Sequence, residues 1–333
     1  MSVYYYVSVN LFCLAAKELK KEKDYEKYNE LKEKIYKAIL DEYFTPNGKL
    51  AINTQTGYVL SLFYGIYRNK EHIIEDFRKR LKNDFYRIKS GFTGTPLILL
   101  SLFDNDMDDI AYNLLYNEEC PGWIYAINLG ATTIWERWNL LNEDGSLSAT
   151  DQNSNSFNHY SYGSVCEAIY SRITGLKNLS PGWKKVRIGP KLNYRMKKIE
   201  LKYESISGIY EIKWKWVDKK FHLDVKIPYG TEAEIVLPNG NKYEVKEGEY
   251  HYECDIDKKV YAPFSVDTPL IEILKNEQAC EILKKYAPSV YKWAINENEE
   301  NKLNTIRNNF FPMHNAPIEE IQKCEEELSK IYP

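Results

Sequence analysis

Apolar side chains recur at helical spacing from residue 1 to about residue 178. The predicted helices are Val3–Leu19, Tyr25–Leu40, Gly57–Tyr67, His72–Ile88, Thr95–Phe103, Asp106–Tyr116 and Tyr160–Thr174. Some of them, such as His72–Ile88, are amphipathic, whereas Gly57–Tyr67 and Thr95–Phe103 are apolar on nearly all sides. Amphipathic outer helices that alternate with apolar inner helices are typical of a toroid of nested helical hairpins. A closed toroid needs roughly twice this many residues, so the pattern predicts part of one.

The period of the pattern changes to two after Pro181. The predicted strands are 186–188, 199–203, 210–216, 221–227, 233–237, 243–245 and 250–254. The short connection Val217–Lys220 predicts one hairpin, and the turn Pro238–Gly240 predicts a second. Together these elements predict a compact antiparallel β-sandwich that ends near residue 262, with packing and capping as its main role.

Helical spacing returns after residue 263. Helices are predicted at Pro269–Tyr286 and Pro317–Tyr332, with a middle part broken by prolines and a charged, solvated loop at Asn296–Asn301. No pattern in this part indicates chemistry, so it is predicted to be a cap or, alternatively, a docking element. The predicted domains are 1–180, 181–262 and 263–333.

Charge and cysteine usage exclude several classes of protein. Lysine and arginine total 45 and aspartate and glutamate 48, so the formal net charge is −3. This near balance provides no basic surface for nucleic acid. Six cysteines are widely scattered without a C-x-x-C pair, which argues against a metal site, a redox motif and a disulfide framework. We therefore expect no metal and no cofactor.

The first 16 residues are apolar and end in two alanines, as the apolar region of a signal peptide does. They lack a basic beginning, however, and their pattern continues into a helix rich in lysine and glutamate. No stretch approaches the roughly 20 apolar residues that span a bilayer. The sequence alone therefore predicts a cytoplasmic protein without membrane contact.

The run Gly130–Trp138 is the strongest candidate for chemistry. It places Glu136 between Trp135 and Trp138, beside Arg137 and after a turn of glycine and threonine. Indole rings stack on the apolar faces of sugars, and cleavage of a glycosidic bond needs a positioned carboxylate. An ion pair of Glu136 with Arg137 among core aromatics explains the run equally well. The residues alone leave both interpretations open.

Three further residues are candidates for contact with the same ligand. His159 lies at the start of the last predicted inner helix, where a histidine is more often a capping or packing residue. Gln55 follows Thr54, which is placed to cap a helix, and its amide could reach a substrate hydroxyl. Trp123 is either a stacking platform or a core tryptophan. No phosphate-binding loop, Ser–His–Asp order or metal-ligand spacing competes with hydrolysis by carboxylates.

The run Gly130–Trp138 resembles the signature of bacterial α-L-rhamnosidases, glycoside hydrolase family 78. The resemblance extends to Asn53–Gly57, Gly91–Pro96, Pro121–Trp123, Asn158–Gly163, Pro181–Val186 and Ile188–Pro190. The order and spacing of these blocks make the resemblance specific over about residues 1–260. It implies a partial (α/α)6 six-hairpin toroid followed by an antiparallel β-sandwich and a helical C-terminal extension.

The resemblance also implies an activity, which is hydrolysis of terminal α-L-rhamnosyl residues with inversion of the anomeric centre. By position, Glu136 resembles the general base that activates water, and His159 resembles a residue that hydrogen-bonds the rhamnose. The other substrate-binding candidates are Trp135, Trp138, Trp123 and Gln55. The implied partners are α-L-rhamnosides, as oligosaccharides or glycosides.

One part of the family's machinery is missing from this sequence. The general acid of the family lies in an Arg-Asp-Glu-Arg-type segment in the earlier half of the barrel, and no such segment occurs here. An inverting site needs two carboxyls about 6.5 to 9.5 Å apart. The acidic residues near the run Gly130–Trp138 are Glu118, Glu119, Glu143, Asp144 and Asp151. Their spacing does not identify any of them as a replacement for the general acid.

Two hypotheses follow. In the first, the chain is the later half of an α-L-rhamnosidase from a truncated or split gene, and it is inactive without the N-terminal half as its partner. In the second, the chain is a carbohydrate-binding or vestigial module without catalysis.

Overall fold

The computed structural model describes residues 1–148, 156–217, 219–256, 260, 263–297, 305–306 and 318–332. Contacts divide the chain into two compact units, Met1–Lys191 and Leu192–Pro333. The predicted division into three domains stays a prediction. Within the described ranges, no helix combines the length and the apolar character needed to cross a bilayer.

The first unit consists mainly of helices. They are α1 (Ser2–Glu18), α2 (Glu22–Tyr43), α3 (Gln55–Tyr64), α4 (Lys70–Asn83), α5 (Gly91–Phe103), α6 (Asp108–Leu115), α7 (Trp123–Asn128) and α8 (Val165–Ala168). Thr54 Oγ1 accepts the N–H of Gly57 at 3.1 Å and caps α3. Asn69 Oδ1 accepts the N–H of His72 at 3.0 Å and caps α4. These local bonds explain why helices begin where the sequence places polar residues.

The predicted alternation of inner and outer helices is confirmed in this unit. α5 is buried throughout Ile98–Phe103, whereas α4 buries only a stripe formed by Ile73, Phe77 and Leu81. α3 contacts α4 and α5, and α5 also contacts α6. Removal of the apolar stripes from water therefore holds the outer helices on the inner ones.

Four helical elements differ from the prediction. α4 ends at Asn83 rather than at Ile88, because Phe85 and Tyr86 take positive φ angles of 56° and 53° that a right-handed helix excludes. α5 begins at Gly91, one turn before Thr95, because the N–H of Gly94 bonds the carbonyl of Ser90 at 3.2 Å and closes a turn ahead of Pro96. α7 was not predicted, since a helix of 6 residues shows too little periodicity to detect. The predicted helix Tyr160–Thr174 is divided into a 3-10 turn Ser161–Ser164, the α8 turn and a π turn Ile169–Ile173.

Among the described residues, seven strands correspond to the seven predicted ones, and a short first strand that was not predicted precedes them. They are β1 (Leu176–Asn178), β2 (Lys185–Ile188), β3 (Lys198–Ser205), β4 (Gly208–Val217), β5 (Lys220–Ile227), β6 (Glu232–Val236), β7 (Lys242–Val245) and β8 (Gly248–Asp255). β3, β4, β5 and β8 form an antiparallel sheet in that order. The hairpin predicted at 217–220 is confirmed, because Val217 pairs with Lys220. The second predicted hairpin is confirmed by the antiparallel pair of β6 and β7.

The C-terminal helices pack around an apolar cluster of their own, which includes Leu270, Leu283 and Val290. They are α9 (Leu270–Lys275), α10 (Glu277–Tyr286), α11 (Pro288–Asn296) and α12 (Ile318–Leu328). The prediction of one helix over Pro269–Tyr286 is wrong, because Asn276 Oδ1 accepts the N–H of Ala279 at 3.0 Å and caps a new helix.

Only the beginning of the predicted proline-broken middle part lies within the described residues. There α10 ends at Tyr286 and a new helix, α11, begins at Pro288, whose fixed φ and missing N–H are tolerated in a first turn. α12 confirms most of the predicted helix Pro317–Tyr332, although Pro317 itself lies outside the described residues. Most of the predicted loop Asn296–Asn301 also lies outside them.

Candidate active site

Two segments of the first unit lie side by side and bring the sequence-predicted candidates together. They are called the Glu136 loop (residues 130–138) and the His159 segment (residues 156–162). The N–H of His159 donates to the carbonyl of Ile134 at 2.8 Å, and the N–H of Glu136 donates to the carbonyl of Ser156 at 2.9 Å. The hydroxyl of Thr133 also donates to the carbonyl of Phe157. This antiparallel pairing places Glu136 and His159 in neighbouring backbone segments.

The carboxylate of Glu136 is held by a backbone donor. Its Oε2 accepts the N–H of Ser156 at 3.0 Å, which restricts rotation of the side chain. Among the described residues, its Oε1 has no hydrogen-bond donor. Glu136 is half-buried, so one oxygen is fixed by the protein while the other can interact with a ligand or a water molecule.

The imidazole of His159 stacks with two aromatic rings. Phe92 stacks on it with ring centroids 5.3 Å apart, and Tyr160 stacks on it at 5.0 Å, both at an angle of 18°. Its Nδ1 accepts the N–H of Ser161 at 3.3 Å, so the neutral ring carries its proton on Nε2. His159 can therefore present an N–H donor at its edge while aromatic rings stack on it.

Two of the three candidate tryptophans, Trp135 and Trp138, belong to the Glu136 loop, and the third, Trp123, contacts both segments. Trp138 stacks on Tyr162 at 3.9 Å between ring centroids and meets Trp123 edge to face at 5.2 Å. The indole N–H of Trp123 donates to the carbonyl of Tyr162 at 2.9 Å. Trp135 meets the ring of Phe157 edge to face at 5.7 Å. These contacts support the backbone of both segments, and the predicted contacts of Trp123, Trp135 and Trp138 with a sugar stay predictions.

Three aromatic residues that the sequence analysis did not select expose more surface than the tryptophans do. Phe92 is 47% exposed, Phe157 44% and Tyr160 87%, against 5% for Trp135 and 7% for Trp123. The exposed rings are therefore better placed to stack on a ligand. Phe92 and Tyr160 lie inside the sequence blocks that carry the family resemblance, and that position was the signal that could have identified them.

The amide of Gln55 is engaged within the protein. Its Nε2 donates to Asp84 Oδ2 at 2.9 Å and to the carbonyl of Arg87 at 2.7 Å, and its Oε1 accepts the N–H of Lys89 at 2.8 Å. Arg87 in turn bonds the carboxylate of Glu119, shortly before α7. Gln55 thus fixes the loop between α4 and α5, and its predicted contact with substrate stays a prediction.

We expect Asp84→Asn to reduce the loss of stability in acid. Burial raises the pKa of this carboxyl, but hydrogen bonds from Arg80, Lys89 and Gln55 outweigh burial and hold the pKa below its usual value of 3.8. Stability gained from such a group is present above the unfolded pKa and is lost as pH falls through the folded pKa. Chemical denaturation below about pH 4 should therefore show a smaller decline in the free energy of unfolding for Asp84→Asn than for the wild type.

The matched control is Asp41→Asn, which removes an exposed carboxylate that pairs with Arg68 at 2.6 Å. Exposed ion pairs contribute little to stability, so this variant should follow the wild-type profile. Parallel acid profiles for Asp84→Asn and the wild type would contradict the role given to Asp84.

Two family models match the chain. The model described as the bacterial alpha-L-rhamnosidase 6 hairpin glycosidase domain matches residues 1–173. The model described as the bacterial alpha-L-rhamnosidase C-terminal domain matches residues 175–252. The site segments fall within the first match.

Curated relatives point the same way. An alpha-L-rhamnosidase of Formosa agariphila is 34% identical over 247 residues, which cover 72% of this chain and 26% of the relative. An alpha-L-rhamnosidase of Streptomyces avermitilis is 32% identical over 239 residues, which cover 71% of this chain and 23% of the relative. The chain thus spans about a quarter of the length of the curated relatives it matches.

Solved structures confirm the predicted fold class. The α-L-rhamnosidase of Aspergillus terreus superposes with a TM-score of 0.72 at 30% identity, covering 75% of this chain and 30% of that protein. The Streptomyces avermitilis α-L-rhamnosidase, solved in complex with L-rhamnose, gives a TM-score of 0.72 at 29% identity and covers 76% of this chain and 26% of that protein. The helical part and the antiparallel sheets are therefore those of a six-hairpin glycosidase and its C-terminal domain.

Proposed function

The chain belongs to the bacterial α-L-rhamnosidase family, and from that premise we propose that it supplies the general-base half of an inverting α-L-rhamnosidase site. The observation that carries the proposal is the hydrogen bond by which the N–H of Ser156, the first residue of the His159 segment, holds Oε2 of Glu136. The family resemblance predicted from Gly130–Trp138 is confirmed by both family models.

Glu136 acts as the base on water in this proposal. Inverting hydrolysis needs one carboxylate to take a proton from the attacking water while a carboxylic acid protonates the leaving oxygen. The bond from Ser156 to Oε2 leaves Oε1 of Glu136 as the oxygen that receives the proton. The N–H at the edge of His159 donates to a hydroxyl of the rhamnose, and the exposed rings of Phe92 and Tyr160 flank it.

The general acid comes from outside this chain in this proposal. Glu119 bonds Arg87, and Asp144 accepts the hydroxyl and the N–H of Ser146. The bonds from Ser146 lower the pKa of Asp144, which is the wrong direction for a group that must be protonated at neutral pH. Asp151 lies outside the described residues.

An N-terminal half of the same enzyme is the proposed partner, and α1 is its proposed contact. α1 buries Val9, Cys13 and Ala16. The helix and the residue that follows it also expose large apolar side chains, namely Tyr5 at 54%, Leu11 at 59%, Phe12 at 45%, Leu14 at 54% and Leu19 at 69%. Several exposed large apolar side chains on one helix are characteristic of an interface, and a toroid supplies neighbouring helices that would cover them.

Co-expression with an upstream half tests the proposal. The part of the Streptomyces avermitilis α-L-rhamnosidase that precedes the matched region is a suitable partner, because the two sequences align over 71% of this chain. We expect the chain alone to leave an aryl α-L-rhamnoside intact and the complex, called the reconstituted enzyme, to release β-L-rhamnose, as measured by NMR of the first-formed anomer. If the chain alone hydrolyses the aryl α-L-rhamnoside and Glu136→Gln abolishes that hydrolysis, the proposal is wrong.

Binding of rhamnose without catalysis is the second candidate function, and the stacked arrangement of Phe92, His159 and Tyr160 favours it. Calorimetric titration of the chain with L-rhamnose should then show binding that is lost in His159→Ala. A flat titration of the wild-type chain would count against this candidate.

A further inference from the structure

We propose that the sheet of the second unit carries a binding site for a divalent transition-metal ion of the zinc class, formed by His222, His251 and Glu253. The three side chains lie on neighbouring strands, His222 on β5 and the other two on β8. The register places His222 opposite Glu253 and Asp224 opposite His251. All four side chains belong to the polar positions that alternate with buried residues in β5 and with half-buried residues in β8.

The candidate ligand atoms of the three side chains lie close to one another. His222 Nδ1 lies 2.9 Å from Glu253 Oε1, and His251 Nε2 lies 3.2 Å from the same oxygen. The three ligand atoms lie within 4.8 Å of one another. A tetrahedral zinc ion with bonds of about 2.0 to 2.1 Å requires ligand atoms about 3.3 Å apart. Small side-chain rotations therefore suffice to place an ion among the three groups.

Asp224 orients one of the ligands. Its Oδ1 accepts Nδ1–H of His251 at 2.7 Å, which directs Nε2 of that ring towards Glu253. A carboxylate that fixes the far nitrogen of a ligating imidazole is the usual outer partner in zinc sites, where it sets the tautomer and strengthens the ligand. Asp224 is thus a positioning residue, and its presence distinguishes this group from a chance pair of surface histidines.

The donor set selects the class of ion. Two imidazoles and one carboxylate suit zinc, nickel, copper and cobalt, whereas calcium and magnesium prefer oxygen donors only. The side chains are reachable from solvent, with His222 24% exposed and His251 55% exposed. Water can therefore complete the coordination of the ion, and binding would join β5 to β8.

Calorimetric titration of the chelator-treated full chain with ZnCl2 tests the site. We expect the double variant His222→Gln/His251→Gln to bind one Zn²⁺ fewer per chain than the wild type. This difference isolates the proposed site from any zinc that the 6 cysteines bind. The same titration with MgCl2 should show no binding. Equal zinc stoichiometry and affinity in the wild type and the double variant would overturn the proposal.

Two single variants sharpen the test. Asp224→Asn should weaken zinc binding by about 10- to 100-fold without changing the stoichiometry, because the ligands remain while the orienting carboxylate is lost. Glu249→Gln is the matched control, since this residue also lies on β8 but pairs with Lys226 at 3.0 Å. If Asp224→Asn binds zinc as tightly as Glu249→Gln does, the positioning role is wrong. Circular dichroism of each variant verifies that the sheet is retained.

Discussion

Glu136→Gln is expected to lower kcat of the reconstituted enzyme by about 100- to 10,000-fold, which is the range that general-base catalysis contributes. The substituted amide keeps an oxygen that accepts the N–H of Ser156, so the side chain retains its anchor. It cannot take a proton from water, because an amide is a very weak base. KM for an aryl α-L-rhamnoside should change little, since the loss is confined to the transition state.

Azide separates the loss of a base from a loss of structure. Azide is an anion that attacks the anomeric carbon without giving up a proton, so it needs no general base. We expect azide to restore turnover in Glu136→Gln and to yield a β-L-rhamnosyl azide. The turnover of the wild type should not increase when azide is added. Glu143→Gln, which changes an exposed carboxylate a few residues away, is the matched control and should retain wild-type kcat. Wild-type kcat in Glu136→Gln would contradict the assignment.

The fold was predictable where burial is periodic. In β4 every second residue from Tyr210 to Trp216 is buried, and in α4 the buried residues recur at helical spacing, so one side of each element faces a core. α7 and the division at Asn276 escaped prediction for different reasons. α7 is too short to show a period, and a cap at Asn276 depends on one side-chain hydrogen bond inside an otherwise helical pattern.

The candidate site was predictable only in part. The sequence identified Glu136 and His159, because motif spacing along the chain carries the family resemblance. It did not show that Ser156 holds the Glu136 carboxylate, since that bond joins residues 20 apart. The group of His222, His251 and Glu253 was missed for the same reason, because a search for ligand spacing along the chain does not see pairing between strands.

Gly175→Ala is expected to be among the most destabilising single substitutions in the first unit. Gly175 has φ +91°, and a Cβ there would lie 2.5 Å from backbone atoms of Gly189 and Pro190. The left-handed conformation costs roughly 1 to 2 kcal/mol for alanine. Forcing apart well-packed backbone costs about 1 to 3 kcal/mol more. Urea denaturation of the chain should therefore show a free energy of unfolding lower by about 2 to 5 kcal/mol.

Gly65→Ala separates the two contributions. Gly65 also has a positive φ, +68°, but a Cβ there meets nothing within 4 Å, so only the conformational cost of about 1 to 2 kcal/mol applies. The excess loss in Gly175→Ala then measures the close approach of Gly189, whose N–H bonds the carbonyl of Gly175 at 3.1 Å. That bond lies beside the first pair of the β1–β2 ladder, Leu176 with Ile188. Equal losses in the two variants would mean that the backbone around Gly189 yields to a methyl group, and that glycine is needed at residue 175 for its φ alone.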